Sequence, residues 1–258
     1  MRLMKRILSA AAVLALSASL LVGCSSGTAS SVPVSASSAA ESTVSSVEET
    51  ASSAVDENEA AAAQLLNDLT GSYQELWPVI LADEYKQTWL DDCTALVGED
   101  NAEAAFEKLS SMVTGDVYGE DAVKAYANGG GAYFCGFTNS LATLTFDGET
   151  STISGTDKDG NALFSHTYHY IGMEPVHGLY EFESDDADSG EFTYFFLAPD
   201  TSAETYHIEF RYGSDAEALS QYDAGEYAYW VASGISTDCD QTMIDNCIEL
   251  FCTENLAG

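Results

Sequence analysis

From Gly131 through residue 232 the chain is a series of short runs rich in Tyr, Phe, Thr and Leu, separated by Gly, Asp and Asn. Runs of this kind are typical of β-strands joined by tight turns. Most intervals are too short for the helical crossovers that parallel strands require, which predicts an antiparallel sheet. Eight or so consecutive strands favour closure into a small barrel, because closure removes exposed edges. We predict strands near residues 132–137, 141–147, 150–155, 162–170, 178–184, 191–198, 205–212 and 226–232.

Helices are predicted on both sides of this strand region. Residues 64–126 read as helical, with the clearest amphipathic pattern from Asn101 to Val113. Towards the C-terminus, capping residues at Ser214 and Thr237 predict the starts of two more helices. The second would carry an apolar stripe of Ile244, Cys247, Ile248 and Phe251. The predicted fold class is therefore mainly β, an antiparallel barrel with N-terminal and C-terminal helices.

The first 24 residues predict where the chain is located. Positive charges at Arg2, Lys5 and Arg6 precede an apolar run, residues 7–22, that is too short to span a membrane comfortably. The run ends in Leu21-Val22-Gly23-Cys24, which resembles the lipobox of bacterial lipoproteins. That resemblance implies a signal peptide at 1–23, lipidation at Cys24 and a cell membrane anchor on the extracytoplasmic face.

Residues 24–63 consist mostly of Ser, Ala, Thr, Val and Glu and contain no aromatic residue. Such a segment cannot bury enough apolar surface to offset its ordering entropy, so we predict a disordered tether. The folded domain would then extend over residues 64–258, which is long enough for a single core.

The overall charge excludes one class of partner. Eight Lys and Arg face 42 Asp and Glu, which gives a formal net charge of −34. Such a chain repels phosphate backbones, so we expect no nucleic-acid partner. The usual role of so many carboxylates is solubility, and a diffuse acidic field is not by itself a metal site.

Neither the cysteine spacing nor any catalytic motif in the sequence indicates a further function. Besides Cys24 there are Cys93, Cys135, Cys239, Cys247 and Cys252, with no CxxC spacing. In an extracytoplasmic protein this odd number is compatible with two disulfides and one free thiol, with the pairing left open. The chain has no Gly-x-Ser-x-Gly elbow, P-loop or dinucleotide fingerprint, so no enzymatic activity is expected.

One histidine stands in a pattern that suits a metal. His207 and Glu209 are two residues apart on a predicted strand, so both side chains point to the same face. Imidazole and carboxylate are donors that zinc takes in proteins. By contrast, His166 and His169 are three apart and point to opposite faces, and His177 falls in a probable turn, where solvent exposure is expected.

Several segments around this pair resemble the ZinT (YodA) family of zinc-binding proteins. The resemblance covers about Leu69 to Leu256 and rests on four stretches in the family's order. These are Gly71–Pro78, Ala198-Pro199, His207–Gly213, and the pair Glu217–Leu219 and Tyr227–Trp230. It implies a lipocalin-like (calycin-like) barrel, zinc or a similar divalent cation as the bound metal, a role in metal acquisition and a metal ABC transporter as partner.

The ligand set implied by the resemblance departs from the family's three histidines. His207 matches the first histidine of the family's His-x-His pair, Glu209 replaces the second, and Phe195 occupies the position of the third. The loop between Pro199 and His207 carries Asp200 and Glu204, either of which could supply the missing third ligand. The alternative is a barrel that has lost the metal and binds a small apolar ligand or a surface protein.

Overall fold

The centre of the molecule is an antiparallel sheet that closes into an eight-stranded barrel, in a computed structural model that describes residues 57–199 and 203–257. Each strand pairs with its neighbours along the chain, and the first pairs with the last. The strands are β1 Gly71–Glu75, β2 Thr143–Asp147, β3 Thr152–Thr156, β4 Ala162–Met173, β5 Tyr180–Ser184, β6 Tyr194–Leu197, β7 His207–Gly213 and β8 Ala232–Ser236. The predicted antiparallel barrel is confirmed.

Two of the eight predicted strands are wrong. Residues 132–137 and 226–231 are not strands of the barrel, and single bridges join Phe134 to Thr114 and to Trp230. Their places are taken by β1, in a region predicted to be helical, and by β8. The β1 sequence has little strand character of its own, and it is extended because both of its edges are hydrogen-bonded in the barrel.

Helices precede and follow the strands as predicted, although the N-terminal region contains several short ones. In chain order, α1 covers residues 57–68, α2 Leu76–Ile80, α3 Lys86–Val97, α4 Glu99–Val113, α5 Glu120–Ala125, α6 Ala216–Leu219 and α7 Gln241–Leu256. Short 3₁₀ turns lie at Asp83–Tyr85 and Gly190–Phe192.

The starts of α6 and α7 lie beyond the predicted caps. Asp215 rather than Ser214 caps α6, since its side chain accepts a hydrogen bond from the backbone N–H of Ala218. Asp240 rather than Thr237 caps α7 in the same way, through the N–H of Met243. In both cases the carboxylate nearest the helix serves as the acceptor.

The interior of the barrel is filled with aromatic rings. Phe195 of β6 lies 5.4 Å from Tyr168, 5.4 Å from Tyr212 and 6.0 Å from Phe164, measured between ring centroids. Phe210 lies 5.8 Å from Tyr212 on the same face of β7. The inside of the barrel is thus a packed core at this level rather than an empty container.

A second apolar layer lies between the outside of the barrel and the helices. The predicted stripe of α7 is confirmed: Ile244, Cys247, Ile248 and Phe251 are buried. The ring of Phe251 packs against Trp77 of α2 at 4.8 Å and against Trp89 of α3 at 5.9 Å. Helix α7 therefore holds α2 and α3 against the barrel.

Several predictions fall on residues outside the described ranges. Cys24, the signal peptide at 1–23 and most of the tether belong to this group, and the last part of the predicted tether, residues 57–63, is helical. Within 57–199 and 203–257, no helix is long and apolar enough to cross a membrane. The five cysteines in these ranges are free, so the structure shows the thiol form without the two predicted disulfides.

Candidate functional site

Strand β7 separates an apolar inner face from a polar outer face. Phe210 and Tyr212 pair with Leu197 and Phe195 of β6 and point into the aromatic interior. Because side chains alternate along a strand, His207, Glu209 and Arg211 point outward. The outward residues are nonetheless buried, since the helices and the segment 132–137 cover this side of the barrel. His207 and Glu209 share a face, as the sequence predicted.

His207 lies under helix α7. Its side chain is 6% exposed, and its Nδ1 is 2.7 Å from the Oγ1 of Thr205. The ring lines a narrow crevice with Cys247 and apolar residues of α2 and α7. The thiol of Cys247 donates a hydrogen bond to the carbonyl oxygen of Thr205 at 3.2 Å. A soft sulfur donor thus belongs to the immediate surroundings of the imidazole.

Glu209 lies in a neighbouring crevice that also contains a cysteine. The carboxylate is 8% exposed, and the crevice is lined by Cys135, Tyr133 and Ser233 among others. Burial, followed by the nearby carboxylate of Glu209, raises the pKa of the Cys135 thiol far above its ordinary value. Cys135 is therefore a neutral thiol in the metal-free protein at physiological pH.

The indole of Trp77 lies between these two crevices and lines both of them. Trp77 is buried, and its Nε1 has no hydrogen-bond partner within the described ranges. A buried donor without a partner carries a desolvation cost of about 1–3 kcal/mol. The position of Trp77 is thus less favourable than that of a fully satisfied core residue.

Trp77 also forms part of the wall of a larger, open cleft of about 340 Å³. The cleft shares Trp77, Val113 and Cys135 with the Glu209 crevice, so the two adjoin. Its wall is mostly apolar and includes Phe134 together with the carboxylate of Glu75. Glu75 accepts a hydrogen bond from the backbone N–H of Phe137 at 2.6 Å, which orients that carboxylate.

The third outward residue of β7 has a structural role. Arg211 is fully buried and donates hydrogen bonds to the carbonyl oxygens of Leu219, Gln221 and Tyr227. Its guanidinium also lies 4.2 Å from the ring centroid of Tyr222. Arg211 therefore fixes the loop after α6 to the barrel wall.

Phe195 and Glu204 supply no third ligand to the pair in the described part of the chain. Phe195 lies inside the barrel, on the other side of the wall from His207. Asp200 is outside the described ranges, and Glu204 is exposed, its backbone oxygen accepting a hydrogen bond from Asn246. In the described part of the chain, no three His, Cys, Asp or Glu side chains converge closely enough to hold a metal ion.

The remaining histidines lie elsewhere. His166 and His169 contact different carboxylates, Asp186 at 2.8 Å and Asp185 at 2.7 Å, which agrees with the prediction that they do not line one site. His177 is buried rather than exposed, because its turn packs against Tyr222 with ring centroids 3.8 Å apart. Sequence reasoning also assigned Cys247 only to the core and did not identify Cys135 or Trp77, whose proximity to the pair arises only in the fold.

Comparisons with solved structures give likenesses to zinc-bound proteins. No protein-family profile and no curated protein sequence matches the chain. The Zn(II)-bound ZinT-like domain of Streptococcus pneumoniae AdcA is similar with a TM-score of 0.44 and 15% identity, over 70% of this chain and 87% of that domain. Zn(II)-bound AdcA from the same organism gives a TM-score of 0.40 and 15% identity, over 71% of this chain and 34% of AdcA. Likenesses this distant assign no function to individual residues.

Proposed function

We propose that this chain is a binding protein for a divalent cation, zinc or one of similar coordination chemistry, and that the cation binds at the outer face of β7. The observation that carries the proposal is the placement of His207 and Glu209 on the same face of one strand, with His207 buried beneath α2 and α7 and Glu209 beneath α2 and residues 133–135. Imidazole and carboxylate are donor types that zinc takes, and burial strengthens the attraction between a carboxylate and a cation.

Cys247 is the third donor in this proposal. It lines the same crevice as His207, and Cys, His and Glu are the side chains that zinc takes. Its pKa is raised by burial to about 12, so the bound metal would have to displace the thiol proton. Zinc uptake would accordingly release protons and weaken as the pH falls.

Binding in this form requires the indole of Trp77 to move. Trp77 lines the crevices of both His207 and Glu209, and its displacement would join them into one space. The absence of a hydrogen-bond partner for Nε1 among the described residues lowers the cost of that movement. The adjoining open cleft would provide the route by which the cation enters.

The cellular role we propose follows from the N-terminal sequence. Lipidation at Cys24 and the tether of residues 24–63 would hold the barrel at the extracytoplasmic face of the cell membrane. There the protein would collect the metal and deliver it to a metal ABC transporter, as the resemblance to the ZinT family implies. Replacement of Cys24 by Ser should release the protein from the membrane fraction; retention of this variant would contradict the anchor.

Isothermal titration of the full chain with zinc tests the site. Titration at about 0.15 M salt suppresses diffuse binding to the acidic surface. We expect one site, and at least tenfold weaker affinity, about 1.4 kcal/mol, in His207→Ala, Glu209→Gln and Cys247→Ser. His169→Ala is the matched control because it removes an exposed histidine that pairs with a carboxylate elsewhere. Equal affinity in the wild type and all three site variants would refute the proposal.

Tryptophan fluorescence tests the movement of Trp77 separately. The chain has three tryptophans, and Trp77 is the one between the two crevices. Zinc should change the emission of the wild type and leave that of Trp77→Phe nearly unchanged. A zinc-dependent change of equal size in Trp77→Phe would place the metal elsewhere.

The cleft supports a second candidate function, the binding of a small apolar ligand. Its volume of about 340 Å³ and its apolar wall are in the range of small-molecule sites. This cleft lies outside the barrel, whereas the aromatic rings fill the interior where the sequence-based alternative placed the ligand. A neutral, environment-sensitive dye should bind the wild type and bind more weakly to Thr114→Trp, since Thr114 is an exposed residue of the cleft wall; unchanged dye binding would exclude the cleft.

A further inference from the structure

Two cysteines from distant parts of the chain meet between helices α3 and α7. The Sγ atoms of Cys93 and Cys252 are 3.9 Å apart, although the residues are separated by 159 positions. Both residues are fully buried. The distance is a van der Waals contact between two thiols, and a disulfide requires about 2 Å.

The other three cysteines in the described ranges have different neighbours, so they do not compete with Cys93 for contact with Cys252. The Cys135 and Cys247 thiols point to the backbone oxygens of Tyr133 and Thr205. Cys239 is only partly buried and lies before α7. Cys93 is thus the thiol that Cys252 contacts within the described ranges.

Negative charges on both helices repel each other, and a cross-link would offset this repulsion. Asp91 and Asp92 lie on α3, and Asp245 and Glu249 lie on α7. Burial, followed by the negative charges of Glu249, Asp245 and Asp91, raises the pKa of Asp92 above its ordinary value. The helices are therefore held together by aromatic packing around Trp89 and Phe251 against a repulsion between carboxylates.

We propose that Cys93 and Cys252 form a disulfide that joins α3 to α7 when the chain folds in an oxidising compartment. The electron acceptor would be an oxidised dithiol, either a thiol oxidase or oxidised glutathione. Each cysteine loses one proton and one electron, the Cys93–Cys252 S–S bond forms, and the acceptor's S–S bond breaks to give two thiols. The Sγ atoms approach by side-chain rotation and a small shift of α7.

The burial of the Cys93 and Cys252 thiols determines when the disulfide can form. Burial raises the pKa of both thiols in the docked helices, which suppresses the thiolate that starts exchange. The bond must therefore form while α7 is still docking, when the thiols are accessible. Once formed, it would be shielded from external reductants by the same burial.

Peptide mapping tests the bond directly. The full chain, produced in an oxidising compartment and purified without reductant, is alkylated under denaturing conditions and cleaved at acidic residues. Glu249 lies between Cys247 and Cys252, so their peptides separate. We expect a linked Cys93–Cys252 peptide, with Cys135, Cys239 and Cys247 alkylated. Full alkylation of Cys93 and Cys252, or their linkage to other cysteines, would overturn the proposal.

Thermal unfolding gives the second test. Wild-type protein that is reduced while unfolded and refolded in the reductant should melt about 5–10 °C below the oxidised protein, because the bond closes a long loop. The same reductant should leave Cys252→Ser unchanged and lower Cys239→Ser as much as the wild type. A Cys252→Ser variant that does not fold leaves the peptide map and the wild-type shift as the decisive results. No effect of reductant on the wild type would overturn the bond.

Discussion

A buried carboxylate, Glu174, organises the turn between β4 and β5. It is fully buried, accepts hydrogen bonds from the backbone N–H groups of Val176 and His177, and has the Nδ1 of His177 at 3.5 Å. Burial raises its pKa, but the imidazole of His177 and these N–H groups together outweigh burial and hold the pKa below its ordinary value. The ring of His177 in turn packs on Tyr222. The turn is thus attached to the barrel through one carboxylate.

Replacement of Glu174 by Gln should destabilise the protein at pH 7 by about 1–3 kcal/mol, the usual value of hydrogen bonds to a charged group. Because the folded pKa is lowered, the stabilisation by Glu174 is present above the unfolded pKa of about 4.3 and is lost as the pH falls through the folded pKa. The difference in melting temperature between wild type and variant should therefore shrink on acidification.

Glu181 is the matched control for this prediction. Its pKa is raised by burial and by the charge of Glu174, so its ionisation opposes folding at neutral pH. Glu181→Gln should leave stability at pH 7 unchanged or slightly higher. Equal losses in both variants would show that general packing, rather than the charge of Glu174, is responsible.

The ionisation of a second residue, Asp92, should affect folding stability in the opposite sense to that of Glu174. One of its carboxylate oxygens is buried without a hydrogen-bond partner in the described chain, and its pKa is raised. Because the pKa of Asp92 is higher in the folded than in the unfolded protein, its protonated form stabilises the fold below the unfolded pKa. This contribution to stability is lost as the pH rises through the folded pKa. Asp92→Asn should raise the melting temperature at pH 7 by about 2 °C, with less effect at pH 4. Asp91→Asn, an exposed neighbour, is the control, and an equal rise there would contradict the argument.

The sequence predicted the direction of a side chain where the alternation of side chains along a strand was sufficient to fix it. The shared face of His207 and Glu209 follows from their spacing on a strand. Their burial does not, because it depends on α2, α7 and residues 132–137 covering the outside of the barrel. For the same reason neither Trp77 nor Cys135 could be associated with the pair, since they reach it only through tertiary packing.

At the scale of elements, α7 depends on its first turn. Asp240 accepts a hydrogen bond from the N–H of Met243, and the helix then covers β7 and packs on α3. Loss of such a cap costs about 1 kcal/mol. Asp240→Ala should therefore lower the melting temperature by about 2–4 °C. Asp238→Ala, in the same loop and outside the cap, should have a smaller effect; the reverse order would show that Asp240 does not act as the cap.

Element prediction succeeded where patterns were long and failed where they were short. Helices α4 and α7 have apolar stripes over three or more turns and were predicted close to their observed positions. Strand β1 has five residues, of which only Tyr73 is buried, so its own pattern is too weak to distinguish it from a helix. Residues 132–137 have a strand-like composition but cover the barrel from outside instead of joining it.

At the scale of the whole molecule, the net charge of −34 affects the folding stability of the chain. Self-repulsion destabilises the compact state and is screened by salt. Sodium chloride raised from about 0.02 to 0.5 M should increase the melting temperature, measured with a chelator present to remove divalent cations. An unchanged or lower melting temperature would show that repulsion is already neutralised within the folded chain.

The barrel itself could be predicted because many short strands without crossovers allow few topologies. In the described part of the chain, each strand pairs with its neighbours in chain order. The pairing that closes the barrel did not follow, because it joins segments that lie far apart in the sequence and have no recognisable pattern in common.

That closing pair has a consequence for biosynthesis. Tyr73 of β1 pairs with Ser236 of β8, so the ring stays open until residue 236 has left the ribosome or the secretion channel. A chain that emerges N-terminus first would expose the edge of β1 that faces β8 through most of its synthesis. Folding should therefore be late and concerted, and a nascent chain stalled before residue 232 should remain sensitive to proteases along its whole emerged length.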